Sequence, residues 1–148
     1  MIRIQRETFD TGAEIARLKA GQSGIGGTAV FVGTVREMAD GRRLERMTLE
    51  HYPGMTEAAL QEIEREARRR WPLADTLIVH RYGELGPGDD IVLVIACSAH
   101  RDAAFDACRF LIDWLKTKAP FWKLEQGENG AQWVEAKSCD DDAAGRWG

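Results

Sequence analysis

The sequence predicts an α+β domain that combines packed helices with a mostly antiparallel sheet. Segments whose apolar residues recur at helical spacing alternate with short β-branched segments, and no linker or internal repeat interrupts the 148 residues. Two turn signals, Gly-Pro-Gly-Asp at 86–89 and Gly-Glu-Asn-Gly at 127–130, each separate two strand-like segments, as in antiparallel hairpins. A chain of this length is expected to form one domain, residues 1–148.

The first third of the chain predicts a helix, a strand and a loop. Residues 11–14, Thr-Gly-Ala-Glu, have the form of a capping box, so a short helix is expected after Asp10, with Ile15 and Leu18 facing inward. Residues 28–35 are apolar and partly β-branched, which predicts a buried strand. The polar, arginine-rich segment 36–46 predicts a loop.

The middle of the chain predicts a strand, a helix and a hairpin. A second strand is expected at about 47–52, where a Pro-Gly pair ends it. Thr56 is then placed to cap a helix that keeps Leu60, Ile63 and Ala67 on one side. Beyond this helix, residues 76–82 and 91–97 are expected to pair across the first turn signal.

The last third predicts a helix followed by a second hairpin. Pro120 disfavours helical geometry at the residue before it, so the helix is expected to end at Ala119. Residues 122–125 and 132–135 are expected to be the strands of the second hairpin. The apolar residues at helical spacing are Phe105, Cys108, Leu111, Ile112 and Leu115.

Composition excludes several classes of protein. The formal net charge of −4 argues against a nucleic-acid surface, which is usually basic. The N-terminus has no apolar core of the signal-peptide type, and no apolar run is long enough to span a membrane. The three cysteines lack Cys-x-x-Cys spacing, so reduced thiols in a cytoplasmic protein are expected, with Cys97 and Cys108 in the core.

The histidines do not predict a metal site. His51, His80 and His100 lie on different predicted elements and lack metal-ligand spacing. We therefore expect no bound zinc.

A cluster of lysines between aromatic residues predicts an anion site. Lys116 is expected in the last helical turn and Lys123 just beyond Pro120, so that both ammonium groups can reach one pocket. Cations gathered in this way can bind an anion or activate a lysine as a base or nucleophile. The alternative is that Lys116 and Lys118 only complement the negative end of the helix dipole.

A second group of basic residues stands where strands end. His100 and Arg101 come between a strand and a helix, and a helix start offers backbone N–H groups to an anion. Arg101 adds a fork that suits phosphate, and Arg36 at the exit of the 28–35 strand can add another contact. The alternative is a polar turn in which His100 bonds locally.

Several segments taken together resemble one known family. In the same order along nearly the whole chain, they are similar to the large, catalytic subunit of molybdopterin synthase. The segments are 27–36 (GTAVFVGTVR), 49–55 (LEHYPGM), 79–85 (VHRYGEL), 98–105 (SAHRDAAF) and 115–123 (LKTKAPFWK).

The resemblance implies a fold, an activity and partners. The fold would be an α/β hammerhead-type domain. The activity would be conversion of cyclic pyranopterin monophosphate to molybdopterin, by transfer of two sulfurs from the thiocarboxylated Gly-Gly C-terminus of a small ubiquitin-like subunit. Two large subunits would form a homodimer at the centre of a heterotetramer, and sulfur transfer would need neither a metal nor an organic cofactor.

The resemblance also implies site residues. Lys116 and Lys123 would carry most of the catalysis. Two positions depart from the family: Leu124 stands where a second basic residue is common, and Lys137 stands where an arginine is familiar, so Lys137 is only a candidate contact. Substrate contacts would come from Thr34, Val35, Arg36, His100, Arg101, Lys116, Lys123, Leu124 and Glu125.

Two functions of other classes stay open at this point. The chain would be a non-catalytic adaptor if it bound the tail of a ubiquitin-like protein and used its lysines only as electrostatic complement. It would be a plain phosphate-ligand module if it bound a small molecule and no partner. The presence of both Lys116 and Lys123 in their full motif favours the enzyme.

Overall fold

The computed structural model describes residues 1–39, 41–127, 130–134 and 145–147, which form three helices and two sheets. In chain order the elements are β1 Ile2–Gln5, α1 Thr11–Lys19, β2 Gly27–Thr34, β3 Met38–Ala39, β4 Arg42–His51, α2 Met55–Arg70, β5 Leu73–Arg81, β6 Gly83–Leu85, β7 Asp90–Ser98, α3 Arg101–Lys118, β8 Phe121–Gly127 and β9 Gly130–Val134.

Both sheets are mostly antiparallel, which confirms the predicted fold class. The first sheet has the order β1-β5-β7-β2, and only β1 and β5 run parallel. The second sheet has the order β3-β4-β8-β9, with β6 also paired to β4. The two predicted hairpins are present as β5 with β7 and β8 with β9, and residues 128 and 129 of the second turn lie outside the described residues.

The core lies on both faces of the first sheet. Helices α2 and α3 cover one face, where Leu60, Ile63 and Ala67 are buried as predicted. Helix α1 covers the other face through Leu18, with Ile15 partly buried beside it. A third apolar cluster, at the junction with the second sheet, contains Val35, Leu44, Met47, Leu49 and Leu85.

Two predicted helix caps are wrong. The carboxylate of Asp10, and not Thr11, accepts a hydrogen bond from the Ala13 N–H at 3.0 Å and caps α1. Helix α2 begins after Gly54, whose φ of 87° is accessible because glycine has no Cβ. Thr56 lies inside the first turn, where its hydroxyl serves a tertiary contact instead of the cap.

The strand predicted at 28–35 is not buried. Strand β2 stands at the end of the first sheet, so it has one strand neighbour and its side chains are only partly covered. Val30 and Phe31 are 39% and 37% exposed. Phe105, predicted to lie on the apolar face of α3, is also exposed.

The loop predicted at 36–46 is largely a hairpin. Strand β3 pairs with β4, which begins at Arg42, and Gly41 between them has a φ of 77°. The segment is polar because much of it faces solvent. Its second half nevertheless forms the first residues of β4, some of which pair with β8. Strand β6 was not predicted; it lies between the two strands of the first hairpin and pairs with β4.

Candidate active site

Lys116 and Lys123 lie on the two sides of a corner between α3 and β8. Lys116 is in the last turn of α3, which ends at Lys118 as predicted, and Lys123 is the third residue of β8. Ala119 is extended and its carbonyl accepts a hydrogen bond from the Phe121 N–H at 2.9 Å, which closes the bend around Pro120. The chain therefore bends between the two lysines.

Contacts from other elements fix this corner. The Thr56 hydroxyl of α2 donates to the Pro120 carbonyl at 3.2 Å and accepts from the Tyr52 N–H at 3.0 Å. The ring of Phe121 stacks on His80 of β5, with centroids 3.8 Å apart and an interplanar angle of 17°. His51, the partner of Phe121 in the ladder between β4 and β8, also contacts this ring at a centroid distance of 6.4 Å.

The side chain of Lys123 is directed to the inner face of the second sheet. Its partner in the ladder is the buried Leu49, and directly opposed residues of antiparallel strands share a face. Glu125, two positions along β8, is on the same face and only 5% exposed. Leu124 alternates to the other face, with Trp122.

Lys118 is separated from this arrangement by its own contact. Its ammonium lies over the ring of Trp114, with Nζ 4.7 Å from the ring centroid, which is a cation–π contact. The Lys118 ammonium is therefore engaged by an aromatic ring of its own helix.

His80 is a neutral neighbour of Lys116. The pKa of His80 is lowered to about 4, mainly by burial and to a smaller extent by the charges of Lys116 and His51, against a backbone hydrogen bond that raises it. That hydrogen bond joins Nδ1 of His80 to the carbonyl of Arg81 at 2.8 Å, so Nδ1 carries the proton of the neutral ring. The positive charge of Lys116 therefore opposes protonation of His80.

Thr34, Val35 and Arg36 leave β2 at the end of the sheet where His80 lies. Gly33 and His80 pair with Val92 from its two sides, so they are two strand spacings apart, about 10 Å. The Thr34 hydroxyl donates to Asp90, and both backbone groups of Val35 are bonded, to Asp89 and Gly88. Val35 is 2% exposed, whereas Arg36, the next residue, is exposed to solvent.

His100 and Arg101 are at the opposite end of α3. His100 is the N-cap residue and makes no side-chain capping bond, and Arg101 is the first helical residue. Fifteen positions at 1.5 Å each place Arg101 about 22 Å along the axis from Lys116. One chain therefore does not bring the two predicted groups of basic residues together.

Sequence reasoning missed the residues that support the corner. It treated His51 and His80 only as metal ligands and discarded them, while the structure brings both into contact with Phe121. Residues 79–85 and 49–55 were part of the family resemblance, but no local spacing singled out these two side chains. Lys137 lies outside the described residues.

The described part of the chain contains neither a cluster of metal-ligating side chains nor a membrane-spanning helix. Within it, no group of three or more His, Cys, Asp or Glu side chains is arranged to hold a metal ion. Among the described helices, none has the length and apolar character required to cross a bilayer.

Comparison with known proteins points to one family. The family described as MoaE protein matches residues 4–118. The chain is 54% identical over 147 residues to the molybdopterin synthase catalytic subunit of Ralstonia nicotianae, covering 99% of this chain and 84% of that protein. It is similar in structure to the molybdopterin biosynthesis MoaE protein of Burkholderia ambifaria, with a TM-score of 0.86, 52% identity, and 99% and 97% of the two chains covered.

A more distant solved structure shares the fold alone. It is the complex of subunits 1 and 2 of the molybdopterin-converting factor from Helicobacter pylori. The TM-score is 0.72 at 20% identity, and the match covers 92% of this chain and 90% of that one.

Proposed function

Because the chain belongs to the MoaE family, whose relatives include catalytic subunits of molybdopterin synthase, we propose that the corner between Lys116 and Lys123 is its sulfur-transfer site. The chain is an enzyme of molybdenum cofactor biosynthesis. The observation that supports the assignment is that these two lysines flank one bend, next to the stack of Phe121 on the buried His80.

The substrate we propose is cyclic pyranopterin monophosphate, and the sulfur donor is a thiocarboxylate. The donor would be the Gly-Gly C-terminus of a small ubiquitin-like subunit, in line with the two-subunit complex of the distant structural relative. Phosphate and thiocarboxylate are both anions, so exposed Arg36 and the two lysines provide the opposite charge. The backbone around Val35 is bonded on both sides, so this residue would serve mainly to aim Arg36.

The two lysines would act at different points of each transfer. Lys116 would orient the thiocarboxylate and handle protons while its sulfur attacks the pterin side chain, forming a carbon–sulfur bond as a carbon–oxygen bond breaks. Lys123 would stabilise the developing oxyanion or the opening ring. Water would then cleave the acyl–sulfur bond and release the tail as a carboxylate. None of these steps requires a metal or an organic cofactor.

The separation of the two basic groups supports a homodimer. Arg101 is about 22 Å from Lys116 along α3, so His100 and Arg101 would complete the site of a second copy. Edge strand β2 and the first turns of α3 carry the apolar side chains that such an interface would cover, namely Val30, Phe31 and Phe105. Small subunits at the two ends would make a heterotetramer.

The two described cysteines are free thiols, which agrees with a cytoplasmic location.

A reconstituted turnover assay tests the function. Purified chain would be mixed with thiocarboxylated small subunit and cyclic pyranopterin monophosphate, and molybdopterin measured as its fluorescent oxidation product. Lys116→Ala should lower the rate by about 10²–10³-fold, because a preorganised charge is lost. Lys118→Ala is the matched control: it removes the same charge from the same helical turn and should leave turnover near normal.

Each other outcome has a distinct meaning. Near-normal turnover of Lys116→Ala would contradict the catalytic assignment. Tight binding of the small subunit without any product from the unmodified chain would identify an adaptor. Binding of the pterin phosphate without any binding of the small subunit would identify a phosphate-ligand module.

A further inference from the structure

His80 is a buried titratable residue to which the proposed chemistry gives no role. It is the penultimate residue of β5, it is 5% exposed, and it lies among apolar neighbours of the first sheet. Burying the polar nitrogens of a neutral imidazole costs free energy unless they form hydrogen bonds, whereas a phenylalanine would fill a similar volume without that cost. The contacts of the ring are therefore informative.

The ring is held in one orientation by two contacts. Nδ1 donates to the Arg81 carbonyl at 2.8 Å, which fixes the ring relative to the backbone of β5. Its centroid lies 3.8 Å from that of the Phe121 ring, and the two rings are nearly parallel. Phe121 follows Pro120 directly, so this stack joins the first sheet to the bend that separates Lys116 from Lys123.

Two side chains from other elements act electrostatically on the ring. Lys116 of α3 and His51 of β4 both disfavour protonation of His80. With a pKa of about 4, the ring is uncharged at neutral pH. It therefore presents an uncharged aromatic surface to Phe121 and adds no positive charge to that of Lys116.

We propose that His80 is a positioning residue for sulfur transfer: its ring, stacked on Phe121 and bonded to the Arg81 carbonyl, sets the separation and direction of Lys116 and Lys123. The inference rests on the proposed function of those lysines. A shift of the corner by about 1 Å is sufficient to lower a rate by about 10²-fold, because reacting groups must be held in near-attack geometry.

The test compares three variants in the reconstituted assay. His80→Ala removes the stack, and its kcat should fall by up to about 10²-fold while the KM for the thiocarboxylated small subunit changes little. His80→Phe keeps an aromatic face against Phe121 and should restore most of that kcat. Val79→Ala is the control for stability, because Val79 is the adjacent buried residue of β5 and its side chain packs on the opposite face, with Leu18.

The outcomes distinguish a failure of the positioning role of His80 from a failure of the proposed sulfur-transfer function. A His80→Ala kcat equal to that of the unmodified chain, or to that of Val79→Ala at a matched melting temperature, would overturn the positioning role. If His80→Ala does not fold, His80→Phe and His80→Gln are compared instead. An amide offers no aromatic face, so equal activity of these two variants would overturn the positioning role. Lys116→Ala in the same assay reports on the function itself, and its normal turnover would refute the site and not merely the role of His80.

Discussion

At the scale of single residues, the buried ring of His80 makes stability depend on pH. In the unfolded chain its pKa is near the ordinary 6.5, and in the folded chain it is about 4. Between these values the unfolded state binds the proton and the folded state does not, so the contribution of His80 is fully present above 6.5 and is lost as the pH falls toward 4. The whole loss amounts to about 3 kcal/mol.

Urea unfolding at pH 7 and pH 5 would measure this dependence. Between these two pH values the unmodified chain should lose about 2 kcal/mol more than His80→Phe, which has no proton to bind at this position. All other titratable groups are common to the two proteins, so their contributions cancel in the comparison. An equal loss in the two proteins would show that His80 is not responsible for it.

The positions of the two lysines of the proposed site were easier to predict than the contacts that hold the corner between them. Lys116 and Lys123 follow from local rules: helical spacing places the first in a final turn, and Pro120 ends the helix before the second. The stack of His80 on Phe121 joins two sheets and residues far apart in the sequence. No local spacing encodes such a contact, so it became visible only in the structure.

At the scale of elements, the start of α1 offers a direct test of which residue caps it. Asp10→Ala removes the carboxylate that accepts from the Ala13 N–H and should lower the free energy of unfolding by about 1 kcal/mol. Thr11→Ala, at the residue favoured by the capping-box pattern, should change it by less than about 0.5 kcal/mol. Urea unfolding of both variants measures these changes. A larger loss of unfolding free energy for Thr11→Ala than for Asp10→Ala would show that Thr11 caps the helix.

Element types were predictable and element burial was not. The β-branched character of 28–35 correctly indicated a strand, but its exposure depends on its place at the edge of the sheet, which is set by how distant strands pair. The same applies to β6, a three-residue strand that forms because β4 offers it a partner. Turn residues and periodicity act within one segment, whereas strand order is decided between segments.

At the scale of the whole molecule, α3 determines how a complete site can be built. The helix carries Arg101 at one end and Lys116 at the other, and a helix of this length is a rigid spacer of about 22 Å between them. A phosphate ligand cannot bridge both ends of one helix. The proposed two-fold dimer would solve the problem, because each copy would supply its α3 N-terminus to the other, and one interface would complete both sites.

Mixing two inactive variants would test this arrangement. If Arg101 acts across the dimer, Arg101→Ala and Lys116→Ala are each inactive alone, but a mixed dimer contains one site with both defects and one intact site. Random reassociation of equal amounts places half of the chains in mixed dimers, so about a quarter of the unmodified activity should return. The assay is molybdopterin formation after the two proteins are co-expressed or unfolded and refolded together, with each variant refolded alone as the control. If Arg101 and Lys116 served one site within a single chain, no mixture would recover activity, since every copy would carry a defect in its own site.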